Sequence, residues 1–509
     1  MSNSTKTKNT IRNVLFGFAL KVYRLIVPFI IRTIMIHVLG LKYVGLNSLF
    51  VSVLQVLNIA ELGVGFALVF SMYKPIAEKD TNKICALMRL YKIYYRVIGL
   101  IILFIGLCIT PFIPNLIKGD VPDDINVYVI YLLNLGATVL SYWLFSYKNS
   151  LFQAHQRNDI ISKTTIIVDT IKYLIQILLL ILLKNYYAYL IVALFSQALN
   201  NVVIAVLATK RYPQYIAKGK LDKEETKKIN SSIFDLFYSK IGMVVTNSVD
   251  SIVISSFLGL IPLAVYQNYY YIVSSILTFF NIIMISCRAA LGNNIVTKTK
   301  SQNYSDFKVL TFGICWFLSF SVSCFASLIQ PFMLLWVGKD NVLNNSFVLL
   351  FSIFLIVFAV YYLVEAYKDA AGSWHKDRFR PLIGAVANLI INIILVQFIG
   401  LYGIIISTII ALLFINIPWI IHRSFVDVFE NKDKKEYIIY LIKMVISVVI
   451  AACLSVLLCW PIQIYNLYIN ILLRLIISSI VGISVYFIIN RKDKSAKHFI
   501  SRVFRFSRK

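Results

Sequence analysis

Residues 147–155, YKNSLFQAH, return as residues 367–375, YKDAAGSWH, about 220 positions further along the chain. In both copies a Tyr-Lys pair is followed at the same spacing by a histidine, His155 in the first and His375 in the second. The correspondence extends outward. Thr110-Pro111-Phe112 leading to Lys118-Gly119-Asp120 returns as Gln330-Pro331-Phe332 leading to Gly338-Lys339-Asp340. Leu39-Gly40-Leu41 returns as Leu258-Gly259-Leu260, and Lys21 has its counterpart in Lys240. Duplication inside a very apolar chain marks transporters whose halves move about a central site.

The surrounding sequence sets the solvent. Of 509 residues, 59% are hydrophobic and 14% charged, too little polar surface to cover a soluble core of this size. Apolar runs of spanning length recur from one end to the other, at about 12–38, 44–73, 83–110, 124–147, 160–183, 186–209, 232–258, 263–288, 306–330, 344–367, 379–399, 402–422, 437–460 and 468–490. The expectation is an all-α polytopic membrane protein with about fourteen transmembrane helices. Lys6, Lys8 and Arg12 precede the first run, which is too long and too charged for a cleaved signal and is expected to stay as the first helix. The seven cysteines lie mostly within apolar runs without metal-ligand spacing and read as small core residues.

A net charge of +27 would suggest nucleic acid in a soluble protein. Here the cations follow the loops. On one side the connections hold only Lys42, Lys118, Lys184 and Lys339, whereas the opposite side holds 36 of the fifty Lys and Arg residues. The positive-inside rule makes that opposite side, and both termini, cytoplasmic. The charge is thereby accounted for, and nucleic-acid binding is excluded as a reading.

A repeat of six spans inserts both copies the same way up, so the copies form a parallel repeat about an axis along the membrane normal. The expected divisions are an N-lobe over 1–209, a charged cytoplasmic linker over 210–230, a C-lobe over 231–432, two further spans over 433–490 and a basic tail over 491–509. The tail reads as an ordinary positive-inside extension in preference to a lipid grip.

Within the first span, Lys21, Arg24 and Arg32 share an arc of about 80° at 100° per residue. A rise of ~1.5 Å per residue puts Arg24 near mid-depth and Arg32 in the outer half. A central cation costs ~2.5–3.5 kcal/mol to insert, so the stripe is expected to face water or an anionic ligand, with Lys240 as its counterpart. The competing reading is snorkelling or pairing with acids. Pro28 on the same face suggests a kink. Arg89, Lys92 and Arg96 form a second cationic face, either at the cavity mouth or at the interface. Glu61, Asp169 (beside Lys172) and Asp250 are the acids expected to pair with cations or take up a coupling ion; Asp235 and Glu365 are the remaining intramembrane acids. Tyr266, Tyr269, Tyr270 and Tyr271 read as an interfacial belt or a sugar-stacking surface. No phosphate loop, metal-ligand set or nucleophile triad is seen, so no cofactor, metal or catalytic residue is expected.

The run Arg32-Thr33-Ile34, Leu39-Gly40, Tyr43-Val44-Gly45-Leu46-Asn47 and Leu49-Phe50 carries a resemblance, as does Ala60-Glu61-Leu62-Gly63-Val64-Gly65 followed by Phe70-Ser71-Met72-Tyr73-Lys74-Pro75-Ile76-Ala77-Glu78. Together they closely resemble the polysaccharide flippases of the MOP superfamily, the Wzx-type capsule and exopolysaccharide repeat-unit exporters, particularly those of Gram-positive bacteria. The resemblance implies two six-helix lobes in a V, as in MATE and MurJ members, alternately open to either side of the bacterial plasma membrane. It implies an undecaprenyl-pyrophosphate-linked oligosaccharide as substrate, held in a cationic cavity that Lys21, Arg24 and Arg32 fit by position, and a polysaccharide polymerase among pathway partners. The alternatives are a lipid II flippase or a multidrug/cation antiporter of the same superfamily and, from a different class, a membrane glycan polymerase. Short outside loops and the duplication count against the polymerase, and leading cations count against the antiporter.

Overall fold

The structure is a computed structural model that describes residues 3–373, 377–462 and 464–506. Among these residues every regular element is a helix. That follows from the solvent, because in hydrocarbon a helix satisfies its backbone polar groups within one segment. The α-helices are α1 (Asn3–Val38), α2 (Leu41–Leu57), α3 (Val64–Glu78), α4 (Thr81–Ile109), α5 (Val127–Trp143), α6 (Asn149–Ala154), α7 (Asn158–Leu183), α8 (Tyr186–Arg211) and α9 (Lys223–Phe257). They continue with α10 (Leu260–Thr297), α11 (Lys300–Val337), α12 (Asn345–Ala370), α13 (Arg380–Ile399), α14 (Leu401–Ile410), α15 (Ile417–Asp427), α16 (Lys434–Cys459), α17 (Leu467–Asn490) and α18 (Lys494–Phe506).

Each of the fourteen expected spans is occupied by helix. Twelve helices among the described residues are long and apolar enough to cross a membrane alone, and a thirteenth is made by Val127–Trp143 with Ser146–Ala154, bent by 47°. The seventh span is α9, which includes the apolar stretch Val244–Phe257. The second span is not one helix. It breaks at a 3₁₀ turn over Asn58–Glu61 and resumes at Val64 after Gly63, whose φ of 94° turns the chain into α3.

The chain divides into two compact units at Ala264 and Val265, within α10. In the first unit α1 packs on α7, α7 on α8, α5 on α4 and α8, and α2 and α3 on α9. Gly45 lets α2 meet the start of α10, since a Cβ there would overlap the Leu260 carbonyl. The duplicated Leu-Gly-Leu turns have the same backbone, with φ of 100° at Gly40 and 102° at Gly259.

In the second unit α16 and α17 pack on α11 and on each other, while α12 packs on α11, α14 and α15. Small residues carry the α11–α17 contact: Ser319 Oγ donates to the Gly482 carbonyl at 2.7 Å, and Tyr486 Oη to that of Phe312 at 3.2 Å. Close approach through Gly and Ser is how helices associate where lipid removes the hydrophobic incentive.

Candidate functional site

The cationic helix is built first by what holds its other face. Near its start, Arg12 pairs with Asp159 at 3.2 Å, and Asn13 Oδ1 accepts the Asp159 backbone N–H at 2.9 Å. Asn13 Nδ2 donates to the Gln156 carbonyl at 2.8 Å, and Lys163 lies 4.2 Å over the Phe16 ring. Further along, Tyr23 Oη is 2.9 Å from Thr170 Oγ1 and its ring is 6.3 Å from that of Tyr173. These contacts lock α1 to α7. The helix runs unbroken through Pro28.

Lys21 and Arg24 are left exposed, with no hydrogen bond or ion pair among the described residues. Arg32 is half-buried, and its Nη2 reaches the Ala264 carbonyl at 3.4 Å. Asp169 does not neutralise the stripe: it pairs within α7 with Lys172 at 2.8 Å. Asp250 is buried on α9 beside Ser251. The side chain of Lys240 lies outside the described residues, as does His375.

Glu61 ends the 3₁₀ turn that breaks the second span. Tyr95 Oη donates to its Oε1 at 2.8 Å, and Tyr91 Oη donates to Tyr95 Oη at 3.0 Å. Beside them Tyr142 Oη donates to Asn58 Oδ1 at 3.0 Å, edge-on to Tyr95. Gly65 makes room, since a Cβ there would stand 3.0 Å from the Tyr91 hydroxyl and 3.1 Å from Glu61 Oε1. The carboxylate is therefore supplied with a chain of hydroxyl donors inside the unit. Sequence reading found Glu61 and missed the tyrosines. Their signal was the Tyr91–Tyr95 spacing of four residues, interleaved with the cations of the same helix.

Of those cations Arg89 acts on the linker, together with Lys83 of the same helix. Arg89 donates to the Gly219 carbonyl at 3.0 Å, Lys83 pairs with Glu225, and Tyr94 Oη donates to Asn230 Oδ1 at 2.6 Å. Lys92 lies 5.9 Å from the Tyr147 ring centre, and Arg96 is exposed. Residues 214–230 are thus strapped along α4.

His155 is half-buried in the loop of the first repeat copy, with Nδ1 2.8 Å from the Leu151 carbonyl and its ring stacked 4.3 Å from Tyr212. Burial pushes its pKa below the ordinary 6.5, with nearby Arg211 acting the same way against the Leu151 hydrogen bond. A depressed histidine pKa means the unfolded chain binds the proton more readily, so this contribution is present above pH 6.5 and is lost as pH falls toward the lowered value. We expect the purified protein to lose thermal stability over that window, and His155→Gln to lose less; parallel pH profiles would refute the assignment.

The second unit holds a buried charge cluster that sequence reading did not assemble. Arg380 Nε donates to Asp377 Oδ1 at 2.9 Å, Nη1 to Asn416 Oδ1 at 2.8 Å and Nη2 to Glu365 Oε1 at 3.3 Å. Lys368 reaches Asp377 at 2.8 Å, and Tyr361 Oη donates to Glu365 at 2.6 Å. The first copy also has an ion pair just after the repeated Tyr-Lys segment, Arg157 on Asp159 at 2.8 Å, built from residues that do not align with those of the second. Tyr266 and Tyr269 are buried against Phe351, and Tyr269 Oη donates to Gln330 Oε1 at 2.8 Å. They are core residues and offer no stacking surface.

Twelve or thirteen helices among the described residues, long and apolar enough to cross a membrane, define the class, a polytopic membrane protein. The model of the family described as polysaccharide biosynthesis protein matches residues 10–287, more than half of the chain, and the chain belongs to that family. Among solved structures, the fold is similar to lipid II flippase MurJ in its inward closed conformation, with 15% identity, 94% of this chain and 99% of that one covered, and a TM-score of 0.67. It is also similar to an inward-facing multidrug resistance MATE family transporter of the MOP superfamily, with 14% identity, 79% and 94% covered, and a TM-score of 0.60. A MOP superfamily transporter from Pyrococcus furiosus, described as having a binding pocket of reverse polarity, matches with 14% identity, 82% and 95% covered, and a TM-score of 0.52. No curated protein sequence matches the chain.

Proposed function

We propose that this protein is a flippase that moves undecaprenyl-pyrophosphate-linked oligosaccharide units from the inner to the outer leaflet of a bacterial plasma membrane, with both termini cytoplasmic. The observation that carries the reading is the pair Lys21 and Arg24, exposed and unpaired on a transmembrane helix of a polysaccharide biosynthesis family member. A pyrophosphate with its sugars cannot enter hydrocarbon, where each unpaired polar group costs several kcal/mol. Lys21, Arg24 and Arg32, with Lys240, supply the compensating charge while the polyprenyl tail stays in lipid. In this reading the duplicated sets of six spans, 1–209 and 231–432, are the halves that move in transport, joined by the 210–230 linker strapped to α4. Arg96, exposed on α4, stands at the entrance, and Glu61 with its tyrosine donors is the proton-accepting candidate for coupling.

Depletion separates this from its rivals. Loss of this protein should strand lipid-linked units on the inner leaflet, detected as units protected from an externally added glycan-modifying enzyme. Units accumulating outside, as loss of a polymerase would give, would overturn the reading. Stranded lipid II in their place would redirect it to the peptidoglycan precursor.

A further inference from the structure

The basic tail is not a loose extension. Asp493 accepts the Ser495 N–H at 2.9 Å and so caps α18, which runs over Lys494–Phe506. The same carboxylate pairs with Lys443 of α16 at 3.3 Å. Six residues on, Phe499 sits against α11, its ring 5.6 Å from Phe312 and 5.8 Å from Trp316. A Cβ on Gly313 would fall 2.5 Å from Phe499 Cε2, so the glycine is the notch that receives the ring. The helix therefore crosses from α16 to α11 within the second unit.

Its depth can be placed along α11. From Gly313 to Val337 is 24 residues, a rise of ~36 Å, against a hydrocarbon thickness of ~30 Å. Setting the outer boundary at Val337 and Lys339, beyond the 306–330 run read from the sequence, puts Phe499 at the inner edge of the hydrocarbon, against the headgroup layer. Below it α11 continues to Lys300.

The faces of α18 are divided accordingly. Ser495 and Ala496 are buried, while Lys494, Lys497 and His498 are exposed, as are Arg491 and Lys492 just before the helix. From Arg491 onward the chain carries eight Lys and Arg and one acid, Asp493, which is already paired with Lys443. An amphipathic helix at headgroup depth with an unopposed cationic face is complementary to anionic lipid.

We propose that α18 is an in-plane anchor that binds anionic phospholipid headgroups of the inner leaflet, with Phe499 as the pin that transmits its position to α11. The inference rests on the cytoplasmic placement of the C-terminus under the proposed function. Each cation held near an anionic surface changes affinity by roughly fivefold, so even two engaged lysines give a measurable hold.

The test uses the full-length protein in nanodiscs of phosphatidylcholine, with and without phosphatidylglycerol at about a third of the lipid. Amide exchange over residues 494–506 should slow at least about fivefold with phosphatidylglycerol, and the difference should vanish in about 0.5 M salt. Arg491→Gln/Lys494→Gln/Lys497→Gln should remove the lipid dependence, whereas Phe499→Ala should speed exchange in both lipids and keep their ratio. Equal exchange in the two lipids, or protection that survives the triple substitution, would overturn the anchor. So would protection given by polyprenyl pyrophosphate and not by phosphatidylglycerol, which would mark a substrate contact. Sidedness is read separately: trypsin added to sealed right-side-out vesicles should leave the tail intact, and its cleavage there would overturn the orientation, whatever the nanodiscs show.

Discussion

Replacing Arg24 or Arg32 by alanine should cut glycan export roughly ten- to a hundredfold while leaving the protein in the membrane. A hydrogen bond to a charged group is worth about 1.5–3 kcal/mol, and each 1.4 kcal/mol is a factor of ten. Insertion should not suffer, because removing a central cation lowers the cost of burying α1, and the contacts that hold α1 to α7 run through Asn13, Phe16 and Tyr23. Arg24 is the cleaner probe, being free of hydrogen bonds and ion pairs among the described residues, whereas Arg32 also reaches the Ala264 carbonyl. Lysine at either position should restore part of the activity, since it keeps the charge and loses the fork that engages two phosphate oxygens. Normal surface glycan in both alanine variants, at wild-type protein levels, would remove the cationic helix from the mechanism.

The helices were legible because twenty or so apolar residues in a row admit few other structures in a bilayer, and the duplicated turns at Gly40 and Gly259 show that the repeat is a repeat of backbone. What each helix faces was much less legible. In a soluble helix the apolar stripe points to the core; here core and lipid are both apolar, so periodicity carries little facing information. That is why Tyr266 and Tyr269 read as a surface belt and prove buried. Averaged hydropathy was equally blind to the break at Asn58–Gly63, where Asn58, Glu61 and Gly63 interrupt the run from 44 to 73 without ending it. The cations of α1 were found because charge at depth is rare enough to stand out. Those of α4 were found but not resolved: Arg89 lies against the linker, a partner 130 positions away that spacing within the helix cannot show.

Arg380→Met should be the most damaging single change to folding, at about 3–5 kcal/mol. Arg380 is 1% exposed and holds three acceptors on different segments: Asp377 just before α13, Glu365 on α12 and Asn416 at the end of the π-helical turn Ala411–Asn416. Its removal leaves Asp377 with Lys368 but leaves Glu365 with the Tyr361 hydroxyl alone among the described residues, and it releases an Asn416 side chain that otherwise donates to the Ala411 carbonyl at 3.0 Å. Lysine would not substitute, since a single ammonium cannot span acceptors that the planar guanidinium reaches together. The comparable loss of an arginine in the first copy, Arg157→Met, should cost much less, because Asp159 retains Arg12 at 3.2 Å and that arginine is 37% exposed. The sign of the mechanism can be checked within the cluster: if the loss comes from an uncompensated buried carboxylate, adding Glu365→Gln to Arg380→Met should recover part of it. Melting temperature and folded yield in detergent measure all three. Equal losses from Arg380→Met and Arg157→Met, or no recovery in the double variant, would mean that the arginine acts through packing and not through the charge it neutralises.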